Sequence, residues 1–225
     1  MRSRTRHVST ARRESGAGRT RRPLVVVVDD EPEVAEAIAM ALRSARFRAA
    51  TFTDPVRFLD DAGNLDAECV LLDVRMPRLS GLEVQQALVR RGIEIPVVFV
   101  SGHGDIPMAV TAVRAGALQF LEKPFLEKAL VEAIREAVAE AKRRRAARSA
   151  NAKLHALVSA LSPRERQVAE AVAIGQNAEE IARRFSLSRR TIEMHKLRAM
   201  RRLGVHSSTE MTRIIVEARA AGLLK

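Results

Sequence analysis

Short runs of branched apolar residues alternate with segments of helical periodicity from Leu24 to about Ala139, and this alternation constrains the possible fold more than any other feature. The clearest runs are Leu24–Val28, Val70–Leu72 and Val97–Val100, which are continuous and brief, as expected of strands covered on both faces. Weaker strand candidates are 49–52 and 117–121, and the predicted helices are 32–44, 55–62, 81–91, 105–115 and 127 to about 149. Five strands alternating with five helices predict an α/β domain with a doubly wound, five-stranded parallel sheet.

The C-terminal part of the chain has only helical patterns. Ser162, Pro163 and Glu165 form a strong helix start, with Ser as the N-cap, Pro at the first helical position and Glu three residues after the cap. Gly175 is predicted to end that helix, and three further helices are predicted at 178–185, 189–203 and 208–220. Only three residues separate the first two of these, which is the spacing of a helix-turn-helix in an all-α domain.

The net charge of +12 is distributed unevenly along the 225 residues. Residues 1–23 carry +7, residues 24–139 carry −6, residues 140–153 carry +5 and residues 154–225 carry +6. This asymmetry predicts that the basic C-terminal part meets a polyanion such as nucleic acid, while the acidic part handles something else.

Several classes of protein are excluded or disfavoured by composition. Cys69 is the only cysteine, which excludes an intramolecular disulfide framework and a multi-cysteine zinc module. No apolar run approaches the roughly 18 to 20 residues that span a bilayer, and the Arg-rich N-terminus lacks the apolar stretch of a secretory signal. We therefore expect a cytoplasmic protein that does not interact with membranes.

Four segments are predicted from these patterns. Residues 1–23 contain almost no large apolar side chains, so we expect a disordered basic extension. An α/β domain is expected at 24–139, a helical basic linker at 140–156 and the helix-turn-helix domain at 157–225.

Acidic residues follow two of the predicted strands. Asp29 and Asp30 come directly after the first strand and Asp73 directly after the third, and these strands are neighbours in a doubly wound sheet. Carboxylates packed together repel one another, so we expect a hard cation such as Mg²⁺ among them. Ser101 and Lys123 follow the fourth and fifth strands, where a hydroxyl and an ammonium would cradle a phosphoryl group on an aspartate nucleophile. By themselves, acids after a strand also fit helix capping.

Four motifs together resemble the two-component receiver domain. They are Val28-Asp29-Asp30-Glu31, the segment from Leu72 to Gly81, Ser101-Gly102-His103-Gly104 and Glu122-Lys123-Pro124-Phe125. The resemblance implies that Asp73 is the phosphoacceptor, that Asp29, Asp30 and Asp73 hold Mg²⁺, and that Ser101 is the switch hydroxyl. It further implies that Lys123 contacts the phosphoryl group through a segment with a cis Lys123-Pro124 bond, and that Phe120 is the aromatic switch residue.

The same resemblance implies a mechanism of activation. Phosphorylation of Asp73 draws Ser101 inward, Phe120 rotates into the vacated space, and the surface formed by 105–115, 117–121 and the helix from 127 is remodelled. Arg75 and His103 lie two residues beyond the acceptor and the switch hydroxyl. Receivers use these two positions to tune the lifetime of the phosphoryl group, so we expect an effect on dephosphorylation there.

The C-terminal motifs resemble the LuxR-type helix-turn-helix over roughly residues 157–220, so that nearly the whole chain after residue 23 resembles FixJ-like response regulators. The matching segments are 161–166, 181–182, 188–195 and 202–205; Ala178 departs from the Lys that many relatives carry. Helical geometry places Ile192, Ala199 and Leu203 on the core side of the helix 189–203. The side facing a DNA major groove is predicted to carry Arg190, Glu193, Met194, Leu197 and Arg201, and the phosphate contacts at its flanks Arg189, Thr191 and Lys196.

The leading hypothesis is a DNA-binding response regulator and not an enzyme. A sensor histidine kinase would phosphorylate Asp73, and a homodimer would bind double-stranded DNA and act on RNA polymerase. One alternative is a receiver that works without phosphorylation, which the complete acceptor set disfavours. The other is a Mg²⁺-dependent phosphohydrolase, which Arg75 disfavours because a second catalytic Asp would be expected at that position.

Overall fold

The computed structural model describes residues 21–102 and 116–224. The predicted helix 105–115 and residue His103 lie outside the described residues, as does most of the N-terminal extension. Residues 21–23, which the sequence assigns to that extension, contact the first domain. The Arg48 amide donates to the Pro23 carbonyl at 2.8 Å, and Arg21 pairs with Asp66 at 2.8 Å.

A five-stranded parallel sheet forms the centre of the first domain, in the order β2-β1-β3-β4-β5. Its strands are β1 (Leu24–Val28), β2 (Arg48–Phe52), β3 (Cys69–Asp73), β4 (Val97–Ser101) and β5 (Gln119–Glu122). The chain places β2 on one side of β1 and then adds β3 to β5 on the other side. The strand order therefore reverses at β1. The predicted fold class is therefore confirmed.

Helices follow the strands at the predicted positions. They are α1 (Pro32–Ser44), α2 (Pro55–Asp61), α3 (Gly81–Arg90) and α4 (Glu127–Ser159), with a short 3₁₀ turn at Ala62–Asn64. The start of α3 is fixed by a capping box, because the Ser80 hydroxyl accepts the Glu83 amide and the Glu83 carboxylate accepts the Ser80 amide. Asp54 caps α2 in a similar way, through the Val56 amide.

Both faces of the sheet are buried. One apolar cluster joins β-strand residues such as Val27 and Leu71 to α1 and α4, and a second joins residues such as Val26 and Leu72 to α2 and α3. The two clusters contain successive residues of the same strands, as the alternation of side chains along a strand requires. Covering on both faces explains why the central strands are continuous apolar runs in the sequence.

The C-terminal part consists of α5 (Pro163–Ala173), α6 (Ala178–Phe185), α7 (Arg189–Leu203) and α8 (Ser208–Ala220). The predicted capping box at Ser162 is present, and Asn177, Ser188 and Ser207 cap the next three helices. Gly175 and Gly204 adopt positive φ after α5 and α7, where an L side chain would be strained.

The described chain divides into two compact units between Ala141 and Lys142, and each unit has its own core. Helix α4 runs without a break across this division and ends at Ser159, ten residues beyond the predicted end near 149. Its last turns are apolar again, and Val158 is buried with residues of α5, α7 and α8. The predicted domain limits 24–139, 140–156 and 157–225 stay predictions. Among residues 21–102 and 116–224, no helix has the length and apolar character needed to cross a bilayer.

Candidate functional site

The carboxyl ends of the strands bring the predicted pocket residues together. Val28 is level with Leu72, Asp73 with Val100, and Ser101 with Glu122. Asp73 and Ser101 are therefore the last residues of their strands, whereas Asp29 and Lys123 are the first residues beyond theirs. All four lie at one edge of the sheet, which is where ligands bind in folds of this kind.

Two buried carboxylates share one ammonium group. Lys123 Nζ donates to Asp29 Oδ2 at 2.7 Å and to Asp73 Oδ1 at 2.9 Å. Asp29 is 2% exposed and Asp73 9% exposed, so these ion pairs are largely removed from water. Each carboxylate directs its second oxygen to a backbone amide: Asp29 Oδ1 accepts from Glu31 at 3.0 Å, and Asp73 Oδ2 accepts from Arg75 at 2.7 Å.

The ionisation of the pocket follows from this geometry. Burial raises the pKa of Asp73 and the charge of Asp29 adds to the rise, which exceeds the lowering caused by Lys123 and by the Arg75 amide. Burial by itself would lower the pKa of Lys123, but its hydrogen bonds and charge interactions with Asp29 and Asp73 outweigh burial, so that pKa lies above its ordinary value. Lys123 is thus held as a cation between the two acids.

The loop after β3 closes tightly on the acceptor strand. A Cβ atom at Gly81 would meet the Asp73 carbonyl oxygen far inside van der Waals contact and would lie 3.0 Å from the Phe99 ring. The Gly81 amide donates to the Val74 carbonyl at 3.0 Å, which returns the chain to the end of β3. Gly81 is therefore required where α3 begins, and this requirement explains the glycine at the end of the motif from Leu72.

The other predicted pocket residues are also located. Ser101 is 3% exposed, and its carbonyl accepts the Lys123 amide at 2.7 Å. Phe120 is half-buried on β5, level with Phe99, and packs against the apolar cluster of α2 and α3. The Lys123–Pro124 peptide is cis, as the receiver resemblance implies.

The structure joins Asp29 to Asp73 but does not bring Asp30 into the same group. Asp30 is half-buried after β1. Within the described ranges 21–102 and 116–224, no three His, Cys, Asp or Glu side chains form a group that could hold a metal ion. The magnesium ligands Asp29, Asp30 and Asp73 stay a prediction.

The second unit contains the predicted helix-turn-helix, formed by α6, the turn 186–188 and α7. The turn is tight because Ser186 adopts a left-handed conformation and the Leu187 amide donates to the Ala182 carbonyl at 3.0 Å. Ile181 of α6 and Ile192 of α7 are fully buried in one apolar cluster, which fixes the two helices against each other. Ala199 and Leu203 are buried as predicted, and Met200 is buried as well.

The remaining faces of α7 present a mixed surface. Arg190 and Arg201 are exposed, and the apolar side chains of Met194 and Leu197 are 39% and 50% exposed. The other four residues predicted to contact DNA already have partners on the protein. Lys196 pairs with Glu193 at 2.8 Å, and Arg189 pairs with Glu179 at 2.8 Å. The Thr191 hydroxyl lies 2.8 Å from that of Ser188, the N-cap of α7.

Long-range contacts in this unit escaped the sequence patterns. Glu165 is 3% exposed, and Arg202 contacts it at 3.3 Å while donating to the Ala160 carbonyl at 2.7 Å. Burial would raise the pKa of Glu165, but the Ser162 amide and hydroxyl, together with the charges of Arg202 and Arg198, hold it below its ordinary value. The capping motif predicted this Glu, but no local signal points to Arg202, which lies far away in the sequence.

Comparison with known protein families assigns both units. The model of the response regulator receiver domain matches residues 25–135, and the model of bacterial regulatory proteins of the luxR family matches residues 159–215. The first match contains the Asp29, Asp73, Ser101 and Lys123 pocket, and the second contains α5 to α7.

Whole-chain relatives have the same organisation. The response regulator protein TmoT of Ectopseudomonas mendocina is 39% identical over 85% of this chain and 87% of its own length. The transcriptional regulatory protein FixJ of Bradyrhizobium diazoefficiens is 36% identical over 86% of this chain and 95% of its own. The solved structure of the response regulator StyR covers 88% of this chain and 100% of its own, with 37% identity and a TM-score of 0.78. The chain therefore belongs to the two-component response regulators of the FixJ type, in which a receiver domain precedes a LuxR-family DNA-binding domain.

Proposed function

We propose that this chain is a transcription factor that a sensor histidine kinase activates by phosphorylating Asp73. The observation that carries the proposal is the position of Lys123 Nζ between Asp29 Oδ2 and Asp73 Oδ1. A single ammonium that already contacts the acceptor oxygen is well placed to neutralise charge that builds up on a phosphoryl group there. Burial of the acceptor strengthens that interaction because little water competes for it.

The chemistry of the acidic side chains at this edge of the sheet fits Mg²⁺. Asp29 directly follows β1, Asp73 ends the adjacent strand β3, and both are buried; together with Asp30, the residue after Asp29, they offer the oxygen ligands that this ion prefers. We assign Asp29, Asp30 and Asp73 as the residues that would hold it. When bound, Mg²⁺ supplies positive charge that lets an anionic acceptor and an anionic phosphoryl group approach each other.

The chemical step is a transfer between two side chains. An Asp73 carboxylate oxygen provides the electron pair for a new O–P bond, the P–N bond of the kinase phosphohistidine breaks, and its electron pair returns to the imidazole nitrogen. Lys123 then pairs with a phosphoryl oxygen in place of the carboxylate oxygen. The Ser101 hydroxyl, at the end of the neighbouring strand, donates to a second phosphoryl oxygen. The Arg75 amide holds the remaining carboxylate oxygen throughout.

The readout proceeds through β5. Phe120 and Lys123 are separated by three positions along this segment, so a shift at the phosphoryl group is transmitted to the aromatic ring over a short path. We propose that rotation of Phe120 remodels the surface of β5 and α4 and thereby favours a homodimer. Two copies of α7 then read paired half-sites in double-stranded DNA in the cytoplasm, and the bound dimer acts on RNA polymerase.

The test compares the wild type with Asp73→Asn and with Asp60→Asn, an exposed acidic position on α2 that serves as the matched control. Each protein is treated with beryllofluoride and Mg²⁺, and its mass in solution and its genome-wide DNA occupancy are measured. We expect dimerisation and tighter occupancy in the wild type and in Asp60→Asn, and neither in Asp73→Asn. Identical occupancy in all three proteins would contradict the proposal, as would steady turnover of a small phosphate ester by the wild type.

A further inference from the structure

The middle of α4 is rich in basic residues. Residues 142–153 contain six Lys and Arg side chains, and no acidic residue occurs between Glu140 and Glu165. Every residue from 142 to 153 is exposed. This part of the helix therefore has no buried side, and all of its side chains are accessible from solvent.

The end of this helix is anchored in the DNA-binding unit. Val158 is 4% exposed in the cluster formed with α5, α7 and α8, and Leu154 and Leu157 pack against the same cluster. The helical repeat places these three apolar residues within a sector of about 100°. The helix is therefore held by one defined face, and the directions of its other side chains follow from the repeat.

Four of the basic residues lie on the side away from the anchor. Lys142, Arg145, Arg148 and Lys153 fall within a sector of about 140° whose centre is about 160° from that of the apolar sector. We call these four residues the basic stripe. They extend over about 17 Å of helix, and the same length of duplex DNA carries roughly ten phosphates on its two strands together.

The alanine content of this part of α4 stabilises the helix that carries these charges. Ala146, Ala147, Ala150 and Ala152 lie among the basic residues, and alanine is the strongest helix former. A rigid row of cations loses less side-chain and backbone freedom on binding a regular polyanion than a flexible basic segment does.

We propose that the basic stripe binds the phosphate backbone of duplex DNA beside the site that α7 reads, a contact that rests on the proposed DNA-binding function. The occupant follows from charge: the stripe belongs to the same compact unit as α7, and that unit is basic both in this helix and beyond it. A backbone contact carries no sequence information, so it adds affinity equally on all sequences.

The experiment measures salt dependence. Full-length protein and the variant Lys142→Gln/Arg145→Gln/Arg148→Gln are titrated, between about 50 and 200 mM salt, with two duplexes: one of unrelated sequence and one enriched for binding by in vitro selection. Glutamine is a good helix former, so α4 is retained, which circular dichroism verifies. We expect the slope of log K against log salt to become shallower by about 0.9 per lost phosphate contact, up to about 2.7, on both duplexes.

Two controls separate the stripe from general charge effects. The variant Arg57→Gln/Arg90→Gln/Lys128→Gln removes the same charge from exposed positions of the first unit and is expected to keep the wild-type slope. Arg190→Ala, on α7, is expected to reduce the preference for the selected duplex while the stripe continues to act on both.

The outcomes distinguish this inference from the proposed function. A wild-type slope in the stripe variant on both duplexes would overturn the DNA contact even if the selected duplex is still preferred. Tighter DNA binding by the stripe variant would also overturn it. If the wild type binds both duplexes equally, the proposed sequence reading fails, but a reduced slope in the stripe variant would still support the backbone contact.

Discussion

Lys123 Nζ lies 2.9 Å from Asp73 Oδ1, while the second oxygen of the same carboxylate accepts the Arg75 amide at 2.7 Å. The two oxygens of Asp73 therefore differ in the mobility of their partners. One is held by the backbone of the chain, and the other by the end of a long side chain that can follow a phosphoryl group. Substitution of the Lys123 side chain is therefore expected to remove one of these contacts, whereas the contact from the Arg75 amide persists when the Arg75 side chain is changed.

Replacement of Lys123 by Ala is expected to slow phosphorylation of Asp73 by about 100-fold, because the developing charge on the phosphoryl group loses its ammonium partner. The rate is measured with acetyl phosphate as the donor, by mass spectrometry of the intact chain. Lys128→Ala, an exposed position on α4, is the matched control and keeps the wild-type rate. An unchanged rate in Lys123→Ala would contradict the assigned role.

Gly81→Ala is expected to destabilise the receiver by about 1–3 kcal/mol, since the added Cβ is forced against the Asp73 carbonyl oxygen and the Phe99 ring. The change in the free energy of unfolding of the receiver is measured by urea titration followed by circular dichroism. At Gly63 an added Cβ meets only Ile93, at an ordinary 3.9 Å, so Gly63→Ala serves as the control. Equal stability of the two variants would show that the loop relaxes without cost.

Arg75→Ala is expected to change the lifetime of phosphorylated Asp73 while leaving the amide hydrogen bond to Asp73 Oδ2 in place, because that bond comes from the backbone. His103→Ala is expected to act on the same rate, although His103 lies outside the described residues. The decay of phosphorylated protein after donor removal measures both effects. Wild-type decay in both variants would exclude a role for these positions.

Glu165 predicts a pH dependence of the DNA-binding unit. Because its pKa is lowered in the fold, the unfolded chain binds this proton more readily. The stabilising contribution is therefore complete above the ordinary glutamate value of about 4.3 and is lost as the pH falls through the lower folded pKa. Hydrogen exchange of the α5 amides in the full chain, corrected for intrinsic rates, measures this loss.

Glu165→Gln should flatten that acid dependence, whereas Glu170→Gln on the same helix should retain it. An equally steep loss of protection in Glu165→Gln would assign the acid sensitivity to other groups.

Leu197→Ala is expected to weaken discrimination at one base pair by about 1 kcal/mol, through lost apolar contact with a thymine methyl group. Folding is expected to be unaffected because half of the Leu197 side chain is exposed. Sequences selected by wild type and variant are compared, with Val216→Ala on α8 as an exposed apolar control. An unchanged preference would remove Leu197 from the reading surface, and Met194→Ala provides the same test one turn earlier.

Local signals predicted most helix starts because they depend on neighbouring residues. Ser162, Pro163 and Glu165 specify the start of α5 through a capping box, and Pro32 marks the start of α1, where no side chain caps the helix. Weaker patterns gave poorer limits. The last strand was predicted at 117–121 but spans Gln119–Glu122, because this half-buried edge strand lacks the continuous apolar run of β1 or β4.

Tertiary contacts account for what the sequence did not reveal. Helix α4 continues to Ser159 because Leu154, Leu157 and Val158 find a core to pack against. Asp29 and Asp73 were expected in one pocket from strand order, and they do share Lys123. Strand order does not specify side-chain directions. It therefore could not show that one lysine pairs with both carboxylates, or that Asp30 lies outside their group.

The ladder register has a mechanical consequence for the pocket. Asp73 and Ser101 end strands that are hydrogen-bonded to neighbours, so neither Cα can slide along its strand without breaking the pairing of Leu72 with Phe99 or of Val100 with Leu121. The backbone at this edge of the sheet is thus fixed. Side chains and loops therefore respond to a bound group by rotating about their torsion angles.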